Sequence, residues 1–303
     1  MVAKVIKSIN GLVDAKDESG KIWKLRIKGK VLSLESEEYN PLSSGDDVVF
    51  TPLSDGEGLI TERLERHSSF SRWNQKRECN QTIASNIDQV AIVLSPESPP
   101  YRSRFLDRAL CSIHGAKPLI VLNKCDLGVA VDVKESLSSY SDLGYDVVYL
   151  SAKFDPSPIS GYLSGKITCF VGQSGVGKSS LVNALLDAHQ RVGSIVWKYD
   201  RGRHTTNHSV LIEGDGFSII DTPGVREIIV PMEEKRSVLE SFPELRGIEC
   251  RYKTCLHEGE DGCMVPDLIR EGKIKEERYE SYLRILSSLD ERRPEYERRA
   301  KRG

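Results

Sequence analysis

The spacing of apolar residues changes character twice along the chain. Through residue 66 it is short and β-like. Residues 5–13 read as a first strand, followed by the turn-forming Asp17-Glu18-Ser19-Gly20. Lys21-Ile22-Trp23-Lys24-Leu25-Arg26-Ile27 alternates polar and apolar positions, the period of a half-buried strand. Further strands are predicted at 31–34, 47–51 and 59–61, separated by Pro41, Gly45 and Asp55-Gly56. Four or five short strands at this spacing suggest a small barrel, of which the OB-fold is one form. A barrel with only a scaffolding role is the alternative.

The stretch 63–77 is read as a linker, mixing basic residues with Phe70 and Trp73. Such a mixture suits phosphates and stacked bases, or equally two aromatic anchors on a neighbouring core. From about residue 86 strands and helices alternate: strands at 88–94, 118–122, 146–150, 167–171, 209–212 and 217–220, helices at 103–114, 131–143 and from 180. This alternation implies a mostly parallel α/β sheet with ligand loops at the carboxyl ends of its strands. Near the C-terminus Tyr279, Tyr282, Leu283 and Leu286 recur at helical spacing, predicting an amphipathic helix packed on its own domain. The tail 291–303, with six basic and three acidic residues, is either a solvated segment or a contact for RNA.

Composition narrows the class without choosing a function. A chain of 303 residues with 39% hydrophobic and 29% charged residues fits a soluble protein of two or three domains. The net charge of −2 gives no global attraction to nucleic acid, so such binding depends on local patches. No apolar run approaches the ~20 residues needed to span a bilayer, and the N-terminus lacks the apolar core of a signal peptide. Seven cysteines do not form a natural disulfide framework, and a cytoplasmic location is expected.

Chemistry concentrates in five short strings. Gly172-Gln173-Ser174-Gly175-Val176-Gly177-Lys178-Ser179-Ser180 follows one predicted strand and opens a helix. Glycines there let backbone N–H groups curl around phosphates, Lys178 reaches β- and γ-phosphates, and the Ser179 hydroxyl suits Mg²⁺. For this string alone, a glycine-rich turn is the plain alternative. Asn123-Lys124-Cys125-Asp126 ends another strand, where a carboxylate accepts two hydrogen bonds that guanine offers and adenine does not. In Ser151-Ala152-Lys153 a backbone N–H is placed to meet the guanine O6. Asp221-Thr222-Pro223-Gly224 offers a carboxylate for the Mg²⁺ shell and a Gly224 N–H for a γ-phosphate. Arg201-Gly202-Arg203-His204-Thr205-Thr206 reads as a switch whose Thr205 or Thr206 ligates Mg²⁺. Separately, Cys250, Cys255, His257 and Cys263 fall within fourteen residues. Three thiolates and an imidazole suit a closed, structural, tetrahedral Zn²⁺ site. The scattered Cys79, Cys111, Cys125 and Cys169 are expected to be free thiols.

Together these strings resemble the guanine-nucleotide motifs of translation-factor-like GTPases, in rotated order: Asn-Lys-x-Asp and Ser-Ala-Lys precede the phosphate loop. With the flanking regions, and with Gln81–Asp88 similar to the family's passage into its GTPase domain, the chain resembles the circularly permuted, small-subunit-dependent GTPases of the YjeQ family. The resemblance implies an OB-fold barrel at 1–66, a linker at 67–85, a permuted P-loop GTPase at 86–230 and a zinc-binding helical domain at 231–303. It implies GTP hydrolysis, slow alone and stimulated by the small (30S) ribosomal subunit, coupled to late ribosome maturation. The implied partners are that subunit and its rRNA, with no membrane, and a monomer is expected. The residue after Gly224 is Val225, where many GTPases carry the Gln that orients water. The family assigns that role to a switch histidine, which falls on His204. Lys178 and Gly224 complete the implied catalytic set. A nucleotide-gated RNA-binding switch without appreciable catalysis, and a small-molecule P-loop kinase, are the rival functions.

Overall fold

Described here are residues 1–27, 40–188 and 208–292 of a computed structural model. The predicted strand at 31–34 and most of the basic tail lie outside them. The first ordered feature is a hairpin, β1 (Val2–Ile9) with β2 (Leu12–Asp17), turning at Asn10-Gly11. Both turn residues have positive φ, 51° and 79°, as a tight two-residue hairpin turn requires. The single strand expected over 5–13 is therefore two. With β3 (Ile22–Ile27), β4 (Asp47–Ser54) and β5 (Glu57–Arg63) they form a closed barrel of order β1-β2-β3-β5-β4, antiparallel except between β3 and β5. Val5, Val13, Ala15, Leu25, Val48 and Ile60 fill it, and Trp23 stacks obliquely on Phe50 at 5.0 Å. The Trp23 indole N–H donates to Asp17 at 2.7 Å, so the one polar atom of that ring is satisfied.

The expected linker is instead a β-hairpin, β6 (Ser69–Asn74) and β7 (Cys79–Ser85). It buries the adjacent Phe70 and Ser71 across a register shift, and Ser68 Oγ exchanges hydrogen bonds of 2.6 and 2.7 Å with the Ile87 backbone. A buried ion pair, Arg66 Nε to Asp46 at 2.6 Å, fixes its base to the barrel.

Beyond it the chain alternates as expected: β8 (Gln89–Leu94), α1 (Ser103–Leu110), β9 (Ile113–His114), β10 (Lys117–Leu122), α2 (Val131–Asp142), β11 (Asp146–Tyr149), α3 (Ser160–Leu163), β12 (Ile167–Gly172), α4 (Lys178–Ala188), β13 (Val210–Glu213) and β14 (Ser218–Asp221). The six-stranded sheet runs β11-β10-β8-β12-β14-β13, parallel except for β13 at its edge. Every residue of β8 is buried, as a parallel strand covered on both faces demands. The helix predicted over 103–114 stops at Leu110, because the following backbone is claimed by other partners. Ser112 C=O accepts from Ser71 N–H at 3.0 Å, and Ile113–His114 pairs with β6.

By compactness the chain divides into Met1–Tyr101 with Ser112–Ile228, and Arg102–Cys111 with Ile229–Gly303. The second unit adds α5 (Lys235–Glu240), α6 (Val265–Arg270) and α7 (Glu276–Arg292). Tyr282, Ile285, Leu286 and Leu289 of α7 form its core with Val238, Phe242 and Val265, confirming the predicted amphipathic stripe. Cys111, at the end of α1, joins that core. Arg278 ties the two helices: it bonds Asp107 of α1 and Glu244, the latter at 2.7 Å, and lies 4.6 Å from the Phe242 ring.

Candidate functional site

Four loops meet at the carboxyl ends of β10, β11, β12 and β14. The phosphate-loop string leaves β12 at Gly172 and enters α4 at Lys178. Gly175 and Gly177 hold φ of 90° and 86°, a region that disfavours side chains. A Cβ on Gly172 would lie 2.5 Å from the Val93 carbonyl, and one on Gly177 2.6 Å from Asn123 Nδ2. Gly172 is required by close approach, and Gly177 by close approach and by dihedral.

Asn123, 1% exposed, is the joint between loops. Its amide N–H donates to the Val176 carbonyl at 2.9 Å, and its Oδ1 accepts from the Ala152 N–H at 2.8 Å. One side chain thus fixes the phosphate loop against the Ser151–Lys153 loop. Lys124 lies beside it in a left-handed conformation, φ 64°, and its ammonium donates to Gly175 C=O and Ser98 C=O at 2.6 Å each. Asp126 is exposed and accepts from the Ser151 hydroxyl at 2.6 Å. Cys125 N–H donates to Leu150 C=O at 3.1 Å; burial, with Asp126 adding to it, pushes the Cys125 thiol above its usual range.

On the other side, the buried Lys178 ammonium bonds the Asp221 carboxylate and the Thr222 carbonyl. The Thr222 hydroxyl donates to Phe170 C=O at 2.7 Å, locking the end of β14 to β12. Val225 N–H donates to Gly172 C=O, and Ser174 N–H to Val225 C=O, both at 3.2 Å. The Asp221–Gly224 string therefore lies directly along the phosphate loop; a Cβ on Gly224 would stand 3.1 Å from Ser174 Cα. Gln173 Nε2 reaches Arg226 C=O at 3.3 Å, while Ser179 and Ser180 are exposed at the first turn of α4. His204, Thr205 and Thr206 lie outside the described residues.

Sequence reasoning missed Ser98 and Thr222. The cluster Pro96-Glu97-Ser98-Pro99-Pro100, directly after β8, was the available signal for a tight loop beside the site.

In the second unit, Cys250, Cys255, His257 and Cys263 converge, with their ligand atoms within 4.8 Å of one another. The Sγ atoms of Cys250, Cys255 and Cys263 lie 3.5, 3.4 and 3.5 Å from His257 Nδ1. A tetrahedral zinc with Zn–S and Zn–N bonds of about 2.3 and 2.0 Å has an S···N edge of roughly 3.5 Å, so the set fits Zn²⁺. His257 Nε2 stands 3.2 Å from Leu245 C=O, which holds the proton there and leaves Nδ1 free to ligate. Burial lowers the imidazole's pKa and keeps it neutral, and burial raises the Cys255 thiol to about 12. Burial also acts on Glu260, but N–H bonds from Leu256 (2.7 Å) and Glu258 (2.6 Å) outweigh it and hold its carboxylate below the usual range. The Tyr279 and Tyr282 hydroxyls cap the His257 and Leu256 carbonyls at 2.7 and 2.5 Å.

Comparison with known proteins agrees with this geometry. Residues 63–231 match the family model described as RsgA GTPase. A Borreliella burgdorferi protein named small ribosomal subunit biogenesis GTPase RsgA is 39% identical, covering 94% of this chain and 95% of its own. A Geobacillus protein of the same name is 34% identical, covering 97% and 99%. Among solved structures, YjeQ from Thermotoga maritima superposes with a TM-score of 0.70 at 28% identity, covering 95% of this chain and 98% of that one. YloQ, titled a circularly permuted GTPase, gives 0.69 at 27%, covering 97% and 96%. With a barrel of OB order, phosphate-loop and Asn-Lys-x-Asp loops joined through Asn123, and a Cys₃His cluster that fits zinc, the chain belongs to the RsgA GTPase family.

Proposed function

We propose that the chain hydrolyses GTP to GDP and phosphate, slowly alone and faster on the small ribosomal subunit, in the biogenesis of that subunit. The observation that carries this reading is Asn123, which couples the phosphate loop to the Ser151–Lys153 loop with Asp126 at the end of the same turn. In this reading Asp126 accepts from the guanine N1–H and N2–H₂, a backbone N–H of the Ser151–Lys153 loop meets O6, and the Lys124 and Lys153 stems flank the base. The backbone of Gly172–Ser180 cradles the phosphates. Lys178 exchanges its present partners, Asp221 and the Thr222 carbonyl, for phosphate oxygens.

Ser179, Asp221 and Thr205 or Thr206 would hold Mg²⁺, all oxygen donors of the hard type that ion prefers. The ion supplies charge neutralisation at the β- and γ-phosphates. Gly224 N–H senses the γ-phosphate. Val225, half-buried against the phosphate loop, carries no group able to orient water, and the proposal gives that role to His204. The Cys₃His set holds one structural zinc. Alongside these we propose barrel, GTPase and zinc-helical regions at 1–66, 86–230 and 231–303, a monomer acting in the cytoplasm, and rRNA as the surface contacted. No helix among the described residues is long and apolar enough to cross a membrane.

The test is multiple-turnover GTP hydrolysis with purified small subunits, large subunits or free RNA. Small subunits should stimulate the wild type, and His204→Ala should lose most of the stimulation while still binding nucleotide. Wild-type rates from His204→Ala on small subunits would remove histidine from the mechanism.

A further inference from the structure

Beside the Asp221–Gly224 loop, a cavity of about 70 Å³ opens where the barrel loop at Leu42–Ser44, the β6–β7 hairpin and the segment after Asp221 converge. None of the described residues lining it is acidic, and Arg72 of β6 is its one permanent charge. That guanidinium is half-buried, and burial lowers its pKa, the mark of a cation short of compensation. Its partner is a neutral one: Nε and Nη2 both donate to Gln81 Oε1 at 3.3 Å. The same oxygen also receives Asn74 Nδ2 at 3.3 Å, so a single carbonyl serves three donors at long range. Nη1 makes no hydrogen bond among the described residues. Elsewhere in this unit a buried guanidinium has a carboxylate: Arg66 bonds Asp46 twice, at 2.6 and 2.8 Å. Arg72 has the fork geometry for such a bidentate acceptor and none supplied by the described chain.

We propose that this cavity is an anion site that takes one phosphate group, with Arg72 as its cation. On volume it holds about five waters at roughly 10–15 Å³ each, enough for a phosphoryl group and too small for a nucleoside. Thr82 and Ser43 line the same space, but their hydroxyls are already engaged, Thr82 by Arg66 Nη1 and Ser43 by Ser85 Oγ, at 3.0 Å each, which leaves Arg72 as the group that meets the anion. Pro223 and Val225 form its far wall, and Val225 is bonded to the phosphate loop through Gly172 and Ser174. A phosphate bound here touches the segment that follows the Mg²⁺-side carboxylate, so occupancy and the nucleotide loops share one wall. The phosphate can come from an RNA backbone or from a free phosphate compound, and two arms separate these sources.

In the first arm, GDP-loaded protein, its phosphate loop filled, is titrated with potassium phosphate against potassium chloride of equal ionic strength. The readout is the side-chain ¹⁵Nε–¹H resonance of Arg72, assigned by its loss in R72Q. A saturable shift is expected in the wild type and in no chloride control. Gln81→Glu places a carboxylate at the existing 3.3 Å contact and should abolish the shift while leaving Arg72 and the fold in place. In the second arm, which rests on the small-subunit reading above, affinity for small subunits is measured against salt. Arg72→Gln should make the log–log slope shallower by about one, the loss of one phosphate contact, with Arg72→Lys restoring it. A response in the first arm identifies a free phosphate compound, and a response in the second an RNA phosphate. If the Arg72 resonance ignores phosphate and the salt slope of folded R72Q and Q81E matches wild type, the proposal is overturned.

Discussion

Asn123→Ala removes the side chain that joins two loops of the site, and its cost can be worked from the structure. Two hydrogen bonds go, one of 2.9 Å to the Val176 carbonyl and one of 2.8 Å from the Ala152 N–H. Both partners lose a bond in a poorly solvated place, and each orphaned neutral group costs about 1–3 kcal/mol. Water reaching the half-buried Ala152 N–H reduces its share, so the total should be about 2–4 kcal/mol. That sum divides between stability, where the loops are ordered without nucleotide, and affinity, where nucleotide must order them. If half falls on affinity, GDP should bind roughly 5–30-fold more weakly, at 1.4 kcal/mol per tenfold. Asn123→Asp is the sharper control: it keeps an acceptor for Ala152 but faces the Val176 carbonyl with oxygen, so it should lose at least as much as Ala. The assay is equilibrium binding of a fluorescent GDP analogue paired with thermal melting of the same samples. Asn123→Ala binding within twofold of wild type, with an unchanged melting temperature, would refute the joint.

Two further outcomes concern the second unit. Arg278→Met leaves Asp107 and Glu244, whose side chains are 1% and 8% exposed, without their shared cation. It should destabilise that unit by about 3–5 kcal/mol, read by chemical denaturation. Zinc affinity should fall on acidification between pH 8 and 7. Each of the three cysteines gives up a thiol proton to ligate zinc, and burial raises the Cys255 and Cys263 thiols further, so apparent affinity weakens by up to about 1000-fold per pH unit. His257, its pKa lowered, is already neutral there and adds no proton. Competition with a zinc-sensitive dye at each pH gives the slope.

Much of the site was legible because its chemistry sits in strings of three to nine residues, four of the five following a strand, while Arg201–Thr206 follows a helix and lies outside the described residues. The zinc cluster was legible for the same reason: four ligands within fourteen residues. Long-range allegiance was not. Nothing local says that α1, between two strands of the sheet, contributes Cys111 to the core built on α7, since Arg278 lies 171 residues from Asp107. The hairpin at 69–85 reads as a linker because it has little apolar surface to bury and its register shifts between Phe70 and Ser71: Phe70 and Ala84 go inside, while Arg72, Trp73 and Asn74 stay half-exposed. The Asn10-Gly11 turn was available as a hairpin signal, and hidden by an apolar run that reads through it.

Guanine recognition by these loops turns on the Asp126 carboxylate, and Asp126→Asn changes that group alone. The carboxylate accepts two guanine N–H donors, charge-assisted bonds worth about 1.5–3 kcal/mol each. An amide reverses one of them and suits xanthine, which presents a carbonyl at C2. Dissociation constants for GDP and xanthosine diphosphate should therefore cross: GDP weaker by at least tenfold, and xanthosine diphosphate tighter than on wild type. Unchanged GDP affinity in Asp126→Asn, with no gain for the xanthine nucleotide, would contradict the account.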